Sequence, residues 1–253
     1  MPSHAMRSAA PQPVALITGA ARRIGAVIAR TLHAAGFDVV LHFQHSAEAM
    51  LALQESLEVE RPGSVLTVAA DLADPRAASH LVDATLRRFG HLDALINNAS
   101  SFKPTPIGQA TQADWDQLFA SNARAPFFLS QSAAPALRVR QGSIVNLVDV
   151  YAERPLPEHA IYCMAKAALV MMTQALARDL GPQIRVNAVA PGAILWPDEG
   201  KSLDAQQALL QRTALQRTGH PDDIAEAVRW LIMDAHYTTG QILRVDGGRA
   251  LNI

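Results

Sequence analysis

The sequence predicts a doubly wound α/β fold, in which a seven-stranded parallel sheet carries helices on both faces. Short aliphatic runs alternate with longer helical patterns along the chain. Runs that are apolar at consecutive positions are typical of strands buried on both faces, and intervening helices indicate parallel pairing. Right-handed crossovers then favour helices on each side of the sheet. The predicted strands are 14–17, 39–41, 65–68, 94–96, 144–148, 186–189 and 242–245, and the first two predicted helices are 23–35 and 47–60.

The length of 253 residues fits one domain, which we expect to cover 13–253 after a disordered start at 1–12. No internal repeat, low-complexity tract or Ser/Gly-rich linker marks a second domain. The segment 196–200 is rich in Pro, Gly and acidic residues, so we interpret it as a loop or lid over a site.

Charge and cysteine content narrow the function classes. The chain has 22 Lys and Arg against 23 Asp and Glu, and its pI of about 6.8 argues against a nucleic-acid partner. No apolar run approaches the ~18 residues of a membrane span, and the start lacks the apolar region of a secretory signal. The single cysteine, Cys163, fits a reducing compartment and a packing role. We therefore expect a cytoplasmic enzyme or binding protein without a membrane partner.

The turn after the first predicted strand has the features of a dinucleotide-binding turn. Glycines there let the backbone approach a pyrophosphate at the helix N-terminus, where free N–H groups and the helix dipole attract anions. Arg23 stands where a middle glycine is usual and places a cation beside the phosphates. A glycine-containing turn without a nucleotide is the alternative. The residues expected to contact the cofactor are Gly19, Arg23, Ile24 and Gly25.

The end of the second strand bears on the choice between NADH and NADPH. A site that prefers NAD usually has an acid about 20 residues past the glycines, on the ribose 2′-hydroxyl. Here no acid appears until Glu48, so we predict NADPH. The HxxH spacing in this stretch does not predict a metal site, because no further ligands accompany it. The predicted cofactor contacts are His42, Phe43, Gln44, His45 and Ser46, with exposed loop histidines as the alternative reading.

Polar residues also follow the third and fourth strands. Asp71-Leu72 would lie near the adenine, and Asn97-Asn98-Ala99 near the ribose. Asn and Asp in turns are ordinarily turn formers, which is the alternative here. Because the carboxyl ends of parallel strands meet at the switch point of the sheet, we expect a nucleotide there. The predicted contacts are Asp71, Leu72, Asn98 and Ala99.

Tyr162 and Lys166 lie four positions apart in a predicted helix and therefore share one face. An ammonium near a phenol favours the phenolate, so we expect Lys166 to lower the pKa of Tyr162 from about 10. Tyr162 would then be a proton donor beside a hydride-transfer site. The Tyr-x-x-x-Lys pattern alone is mostly structural. The nucleotide turn before it and Pro191-Gly192 after it favour catalysis.

These motifs resemble those of the short-chain dehydrogenase/reductase superfamily, which implies a Rossmann fold and an NAD(P)-linked oxidoreductase. Superfamily members usually place a Ser thirteen residues before the Tyr, and here that residue is Asp149. Asp149 and Arg23 thus depart from the general pattern. The motifs that carry the resemblance are Thr18-Gly19, Asn97-Asn98-Ala99, Asn122, Tyr162, Lys166 and Pro191-Gly192.

Both departures match one subgroup, the pteridine reductases. The stretches 41–46, 98–106, 121–123 and 148–149 of this chain also resemble those of pteridine reductases. The similarity extends from Val14 to Leu251. The resemblance implies NADPH-dependent reduction of dihydropterins, of the dihydrobiopterin or dihydromonapterin type. Whether dihydrofolate is also a substrate stays open at this point.

The resemblance also implies roles for individual residues. Phe102 would stack on the pterin and hold it against the nicotinamide, and Ser100 would hydrogen-bond both pterin and cofactor. Tyr162 would deliver a proton to a pterin nitrogen while Lys166 holds the ribose. Asp149 would bond to Tyr162 and relay or orient protons.

The remaining implied positions complete the cofactor site and the assembly. Asn122 corresponds to a residue that supports a proton-relay water in related enzymes. Superfamily members are usually tetrameric, so the resemblance implies a homotetramer packed through helices around 114–137 and 160–180. Further cofactor contacts are implied at Leu147, Pro191, Gly192 and Ile194, with Val148 also bordering the nicotinamide.

Two other functions stay open. The first is a carbonyl or 3-oxoacyl reductase of the same superfamily, against which Asp149 and Phe102 count. The second is a nucleotide-sensing protein without catalysis. A sensor needs only the nucleotide turn, so the complete set of Asn122, Tyr162 and Lys166 argues against it.

Overall fold

The computed structural model describes residues 11–194 and 203–251. Its seven strands form one parallel sheet in the order β3-β2-β1-β4-β5-β6-β7. The chain winds outward from β1 to β3 and then, from β4, outward in the other direction, so the predicted doubly wound fold is confirmed. The strands are β1 (Val14–Ile17), β2 (Asp38–Phe43), β3 (Val65–Ala69), β4 (Ala94–Asn97), β5 (Ser143–Leu147), β6 (Arg185–Pro191) and β7 (Ile242–Val245).

Helices cover both faces of this sheet. One core lies between the sheet and helices α1, α2 and α8, and the other lies between the sheet and α3, α5 and α6. The segment 196–200, interpreted from sequence as a lid, and residues 1–10 of the predicted disordered start lie outside the described residues. The helices are α1 (Arg23–Ala34), α2 (Ala47–Glu60), α3 (Ala77–Phe89), α4 (Gln112–Phe119), α5 (Ala125–Arg140), α6 (Ala160–Leu180), α7 (Leu203–Gln211) and α8 (Pro221–Met233).

Strand β1 shows why the strands are apolar at every position. Ala15 and Ile17 point into the core beneath α1 and α8, whereas Val14 and Leu16 point into the core beneath α3 and α5. All four side chains are fully buried. A strand in the middle of a sheet that is covered on both faces has no solvent side, so alternation with polar residues disappears.

Strand β2 is longer than its apolar run predicts, because it continues through His42 and Phe43. These two residues pair in register with Val68 and Ala69 of β3, so the parallel ladder continues past the last aliphatic residue. A histidine is tolerated there because both of its ring nitrogens find hydrogen-bond partners, described below.

Helix α6 is long and apolar enough, by length and composition alone, to cross a membrane. The sequence-based expectation of no such run is therefore wrong for this helix. The observation is weak evidence for a membrane, because core helices of globular proteins pass the same test. Here α6 buries Leu169, Thr173 and Ala177 on one side and exposes Met171 on the other.

A buried ladder of polar side chains ties the centre of the sheet to α6. The amide nitrogen of Asn97 on β4 donates to Asn146 Oδ1 on β5 at 2.8 Å. Asn146 Nδ2 in turn donates to Thr173 Oγ1 on α6 at 2.9 Å. All three side chains are buried. The ladder therefore fixes α6, which also carries Tyr162, against β4 and β5.

We expect Asn146→Ala to lower the free energy of unfolding by about 2 to 4 kcal/mol, since it removes one buried hydrogen bond from Asn97 and another from Thr173. Urea unfolding followed by circular dichroism measures this loss. Thr173→Ser keeps the hydroxyl that accepts from Asn146 and serves as the control with a smaller loss. Equal stability of Asn146→Ala and the wild type would contradict a structural role for the ladder.

Candidate active site

Two adjoining cavities open at the carboxyl ends of the strands, where β1 and β4 lie side by side. Their volumes are about 620 Å³ and about 190 Å³. Because both are lined by Arg23, Ile24, Asn98 and Ser100, they are two parts of one site. This is the switch point of the sheet, where doubly wound folds bind ligands.

The larger cavity, which we call the nucleotide cleft, brings together most of the residues predicted to bind the cofactor. They come from the turns that follow β1, β2, β3 and β4, although up to 81 positions separate them in the sequence. The predicted residues that line the nucleotide cleft are Gly19, Arg23, Ile24, Gly25, His42, Phe43, Gln44, His45, Ser46, Asp71, Leu72, Asn98, Ala99 and Ser100.

The smaller cavity, which we call the reaction pocket, contains the predicted catalytic pair and the other predicted cofactor residues. It lies between β5, β6 and the first turns of α6. Of the predicted site residues, Phe102 and Asn122 line neither cavity. The predicted residues that line the reaction pocket and not the nucleotide cleft are Leu147, Val148, Asp149, Tyr162, Lys166, Pro191, Gly192 and Ile194.

The turn after β1 requires glycine at two positions. Gly19 has a φ of +63°, and a Cβ there would lie 2.9 Å from the Cα of Ala99. A Cβ on Gly25 would lie 2.2 Å from the carbonyl oxygen of Gly19. Contacts this short do not occur, so the first turn of α1 packs against β1 and β4 only because both residues lack a side chain.

Arg23 adopts the left-handed backbone region, with a φ of +54°, although it has a side chain. This conformation is strained for an L-residue and is concentrated at functional sites. The glycine usual at this position would adopt it without cost, so replacing it with arginine keeps the backbone path and adds an exposed cation. The cation lines both cavities, next to the N-terminus of α1, which has no side-chain cap and no acid in its first turn.

Asn98 locks the nucleotide turn to the end of β4. Its side-chain amide donates to the carbonyl oxygens of Thr18 and Gly19 at 2.8 and 3.0 Å. The hydroxyl of Thr18 accepts from the backbone N–H groups of Asn98 and Ala99 at 2.9 and 3.0 Å. The two turns therefore hold each other through protein contacts alone.

His42 is buried and uses both ring nitrogens for structure. Nδ1 accepts from the backbone N–H of Gly19 at 3.1 Å, so the proton lies on Nε2, which donates to the carbonyl oxygen of Ala70 at 3.1 Å. Burial lowers the pKa of His42, which keeps the ring neutral. His42 thus joins the turns after β1 and β3 and is not the cation of the cleft.

Asp149 and Tyr162 are hydrogen-bonded in the reaction pocket. The phenol oxygen of Tyr162 donates to Asp149 Oδ2 at 2.7 Å, and Asp149 Oδ1 accepts from the backbone N–H of Tyr151 at 2.9 Å. Lys166, one helical turn after Tyr162, is buried and donates to the carbonyl oxygen of Leu147 at 2.8 Å. The predicted contact between Asp149 and Tyr162 is therefore present in the structure.

The expected lowering of the Tyr162 pKa is wrong in direction. Burial raises the pKa of Tyr162 well above 10, and the nearby charge of Asp149 raises it further, so the phenol is neutral. Burial also lowers the pKa of Lys166 to about 8 and raises the pKa of Asp149. Sequence spacing places the ammonium and the phenol on one face of α6, but it contains no information on their desolvation, which dominates here.

Asn122 lies in a π-helical turn, Ala120–Arg124, inserted between α4 and α5. Its side-chain oxygen accepts from Ser100 Oγ at 2.7 Å, and its nitrogen donates to the carbonyl oxygens of Ser101 and Leu118, each at 2.9 Å. The fully buried side chain thus holds the Ser100–Ser101 backbone in place. Its support of a proton-relay water stays a prediction.

Phe102 presents about half of its surface, 51%, to solvent beside the reaction pocket. Its ring meets the Tyr162 ring edge to face, with centroids 4.8 Å apart and an interplanar angle of 89°. It also stacks on His159, with centroids 4.6 Å apart and an interplanar angle of 19°. The orientation of Phe102 is therefore set by two rings at the start of α6, of which His159 was not foreseen from sequence.

Other residues of the nucleotide cleft were also missed by the sequence analysis. Arg22 gave a signal, because it is a second cation in the same turn as Arg23. The residues at the end of α4 gave none, since no motif marks them and only the packing of α4 brings them to the cleft. The missed residues are Ala21, Arg22, Ala73, Ser101, Gln117, Ala120 and Ser121.

We expect Asp149→Asn to increase stability more at pH 7 than at pH 4. The folded pKa of Asp149 is raised above its ordinary value, so the folded state binds the extra proton and stability falls as pH rises through that pKa. Asparagine removes this loss and retains contacts with Tyr151 and Tyr162. Urea unfolding of both proteins at the two pH values measures the difference. Asp116→Asn, at an exposed position on α4, controls for the loss of one charge. If both variants change stability with pH in the same way, the raised pKa of Asp149 is contradicted.

Comparison with known proteins places the chain in a family. Residues 19–250 match the family model described as enoyl-(acyl carrier protein) reductase. Pteridine reductase 1 of Leishmania tarentolae is 38% identical over 280 residues, which cover 94% of this chain and 96% of that protein. The 3-oxoacyl-[acyl-carrier-protein] reductase FabG of Staphylococcus aureus is 34% identical over 238 residues, which cover 92% of this chain and 96% of that protein.

A solved structure agrees with this placement. A blue fluorescent protein from a metagenomic library, solved in complex with NADPH, superimposes with a TM-score of 0.89 at 35% identity, covering 95% of this chain and 98% of that one. With the switch-point cleft and the Tyr162–Lys166 pair in place, these matches confirm the predicted superfamily. The chain belongs to the short-chain dehydrogenase/reductase superfamily.

Proposed function

We propose that this protein is an NADPH-dependent reductase of dihydropterins, of the dihydrobiopterin or dihydromonapterin type. One observation carries the proposal above the others: a buried carboxyl, Asp149, is hydrogen-bonded to Tyr162 at 2.7 Å beside the exposed ring of Phe102. This arrangement suits a flat heteroaromatic substrate that must receive a proton on nitrogen. The similarity to the Leishmania pteridine reductase supports the same substrate class.

The nucleotide cleft fits NADPH in backbone geometry and in charge. Its backbone approaches closely at Gly19 and Gly25, as a pyrophosphate requires. Arg22 and Arg23 are exposed on its wall, and Asp71 is the one acidic residue among the described residues that line it. With Gln44 and His45 at the end of β2, no carboxylate stands where it would repel a 2′-phosphate. The NADPH-bound structural relative also supports this choice.

When bound, NADPH supplies the hydride, and the side chains of the reaction pocket supply the proton. The phenol of Tyr162 is neutral, so it has a proton to give. While Asp149 is ionised, that proton is committed to the hydrogen bond between them. When Asp149 is protonated, it donates to the Tyr162 oxygen instead, and the phenol hydrogen is free to point at a substrate nitrogen. The raised pKa of Asp149 brings this protonated form closer to neutral pH.

Lys166 and Leu147 organise the same pocket. The Lys166 ammonium donates to the Leu147 carbonyl oxygen at 2.8 Å, which fixes the side chain between β5 and α6. A buried ammonium with two remaining donors is suited to hold the hydroxyl groups of a ribose. Its positive charge also lies near Asp149, where it opposes the effect of burial on that carboxyl. Lys166 therefore acts on Tyr162 through Asp149 as well as on the cofactor.

A carbonyl or 3-oxoacyl reductase is the second candidate, because the protein is also similar to FabG and matches an acyl-carrier-protein reductase model. The neutral phenol of Tyr162 would serve a ketone oxygen as well as a pterin nitrogen. The carboxyl of Asp149 bonded to it and the aromatic face of Phe102 are the features that favour a pterin. An assay with NADPH against acetoacetyl thioesters and against dihydropterins separates the two functions. Faster turnover of the thioester would favour this second candidate.

We also propose a cytoplasmic homotetramer. Helices α4, α5 and α6 expose large apolar side chains, which is typical of a surface that packs against another subunit. A single buried thiol, Cys163, is compatible with a reducing compartment. Multi-angle light scattering after gel filtration tests the assembly, and a monomeric mass would contradict it. The exposed residues on these helices are Trp115, Phe127, Phe128, Val139, Met164 and Met171.

The purified protein is expected to oxidise NADPH in the presence of dihydrobiopterin or dihydromonapterin, followed by loss of absorbance. Tyr162→Phe should reduce kcat about 10²- to 10⁴-fold, because it removes the hydroxyl that carries the proton. Its affinity for NADPH, measured by fluorescence titration, should stay the same. Wild-type turnover in this variant would refute the proton-donor role, and no NADPH oxidation with any dihydropterin would refute the proposed function.

We expect Phe102→Leu to raise KM for the dihydropterin about 3- to 10-fold, since it keeps apolar volume but removes the aromatic face. The KM for NADPH should not change, because Phe102 does not line the nucleotide cleft. Phe102→Tyr keeps the ring and is the matched control. A pterin KM in the leucine variant equal to that of the tyrosine variant would mean that Phe102 does not stack on the substrate.

A further inference from the structure

Arg249, near the end of the described chain, is a buried cation outside both cavities. It is only 6% exposed. Within residues 11–194 and 203–251, no carboxylate pairs with it and its Nη1 has no hydrogen-bond partner. Burying a guanidinium without an anion costs free energy. We therefore expect its contacts to offset this cost or to serve the site. The contacts that it does make lead to the reaction pocket.

The residues after β7 form the turn that brings Arg249 inward. Asp246 accepts from the backbone N–H groups of Gly248 and Ala250, at 2.9 and 2.7 Å. Gly247 and Gly248 have φ values of +62° and +78°, which a side chain would strain. A Cβ on Gly248 would also lie 2.7 Å from the Cβ of Ala214. The turn therefore reverses the chain tightly and places Arg249 in a 3₁₀ turn, Arg249–Leu251.

Arg249 is joined to Asp149 through Tyr151. Its Nη2 donates to the hydroxyl of Tyr151 at 3.0 Å, and the guanidinium lies over the same ring, 5.7 Å from the centroid. Tyr151 belongs to the 3₁₀ turn Val150–Ala152, which directly follows Asp149, and its backbone N–H donates to Asp149 Oδ1 at 2.9 Å. Because the other carboxyl oxygen holds Tyr162, the contacts run without a gap from Arg249 to the proton donor.

We propose that Arg249 is a positioning residue for Asp149: it anchors Tyr151, which holds the carboxyl against Tyr162, and it supplies positive charge that lets this buried carboxyl release its proton. The consequence for catalysis rests on the proposed function, because it requires Asp149 to pass protons. The structural and electrostatic link between Arg249 and Asp149 does not depend on which substrate is reduced.

The charges around Asp149 support this role. Burial raises the pKa of Asp149, and the positive charges of Lys166 and Arg249 both oppose the rise. The other titratable group in contact is Tyr162, which donates to the carboxyl and stays neutral. A carboxyl that is buried without these cations would stay protonated over a wide pH range and could not exchange its proton.

Removing the cation is expected to raise the pKa of Asp149 further. Asp149 is needed in its protonated form to free the Tyr162 hydrogen, so kcat falls when Asp149 ionises. In Arg249→Met this fall, the basic limb of the plot of kcat against pH, should move to higher pH by roughly 0.5 to 1 unit. At its own pH optimum, Arg249→Met should have a kcat about 3- to 10-fold below that of the wild type, because Asp149 gives up its proton less readily. Arg249→Lys keeps the charge and should restore the position of the limb. Tyr151→Phe, which loses only the hydroxyl, should give a smaller change in the same direction.

Arg244→Gln is the matched control. Arg244 lies on β7 in the same C-terminal segment and forms an exposed ion pair with Glu153, close to Tyr151 in sequence but without contact to its hydroxyl. Its substitution removes an arginine and the ion pair with Glu153 that holds the same loop. It should leave the dependence of kcat on pH unchanged. An equal shift in Arg244→Gln and Arg249→Met would show a general effect of charge or loop stability and would overturn the proposal.

Stability provides a readout that needs no substrate. The folded pKa of Asp149 is higher than its unfolded value, so unfolding free energy falls as pH rises through the folded pKa. In Arg249→Met this fall should extend to higher pH by the same 0.5 to 1 unit, roughly. In the double variant Asp149→Asn with Arg249→Met this fall should disappear, because the carboxyl that causes it is no longer present. If Arg249→Met still changes the pH dependence of the unfolding free energy when Asp149 is absent, the proposal is overturned. If the stability effect is present but the protein does not reduce pterins, only the proposed function is overturned.

Discussion

The hydrogen bond between Tyr162 and Asp149 is the interaction on which the rest of the site depends. It joins a phenol and a carboxyl at 2.7 Å in a place where burial raises the pKa of both groups. In water the pair would contribute little, because each group would be hydrated. In the pocket it decides where a proton lies. Tyr151 holds the Asp149 carboxyl in place, and the positive charges of Lys166 and Arg249 act on its pKa.

The fold supplies that pair with two supports of different kinds. The buried ladder of Asn97, Asn146 and Thr173 holds α6, the helix that carries Tyr162, against β4 and β5. From the C-terminal side, Arg249 holds the short turn that follows β5. The nucleotide turn is fixed separately, through Asn98 and Thr18. Cofactor and proton donor are thus positioned by independent contacts to the same sheet.

Much of this arrangement was predictable. Every predicted strand is present, because a sheet covered on both faces demands continuous apolar runs that are easily recognised. Most of the predicted cofactor residues line the nucleotide cleft, because the carboxyl ends of parallel strands meet at one edge. The superfamily resemblance identified Asp149, thirteen residues before Tyr162, and the two side chains are hydrogen-bonded. The resemblance to pteridine reductases also pointed to Phe102, whose ring lies against Tyr162.

The sequence by itself determined the order of strands and helices, the glycines of the nucleotide turn and the spacing of Tyr162 and Lys166, since these follow from local pattern. The other residues of the reaction pocket were implied by the family resemblance. Only the tertiary structure decided protonation. Lys166 was expected to lower the pKa of Tyr162, yet burial and Asp149 raise it, because desolvation depends on everything that surrounds a group. The same reason explains why His159 and Arg249 were missed. Their contacts with Phe102 and Tyr151 arise from packing between segments, and no spacing in the chain encodes them.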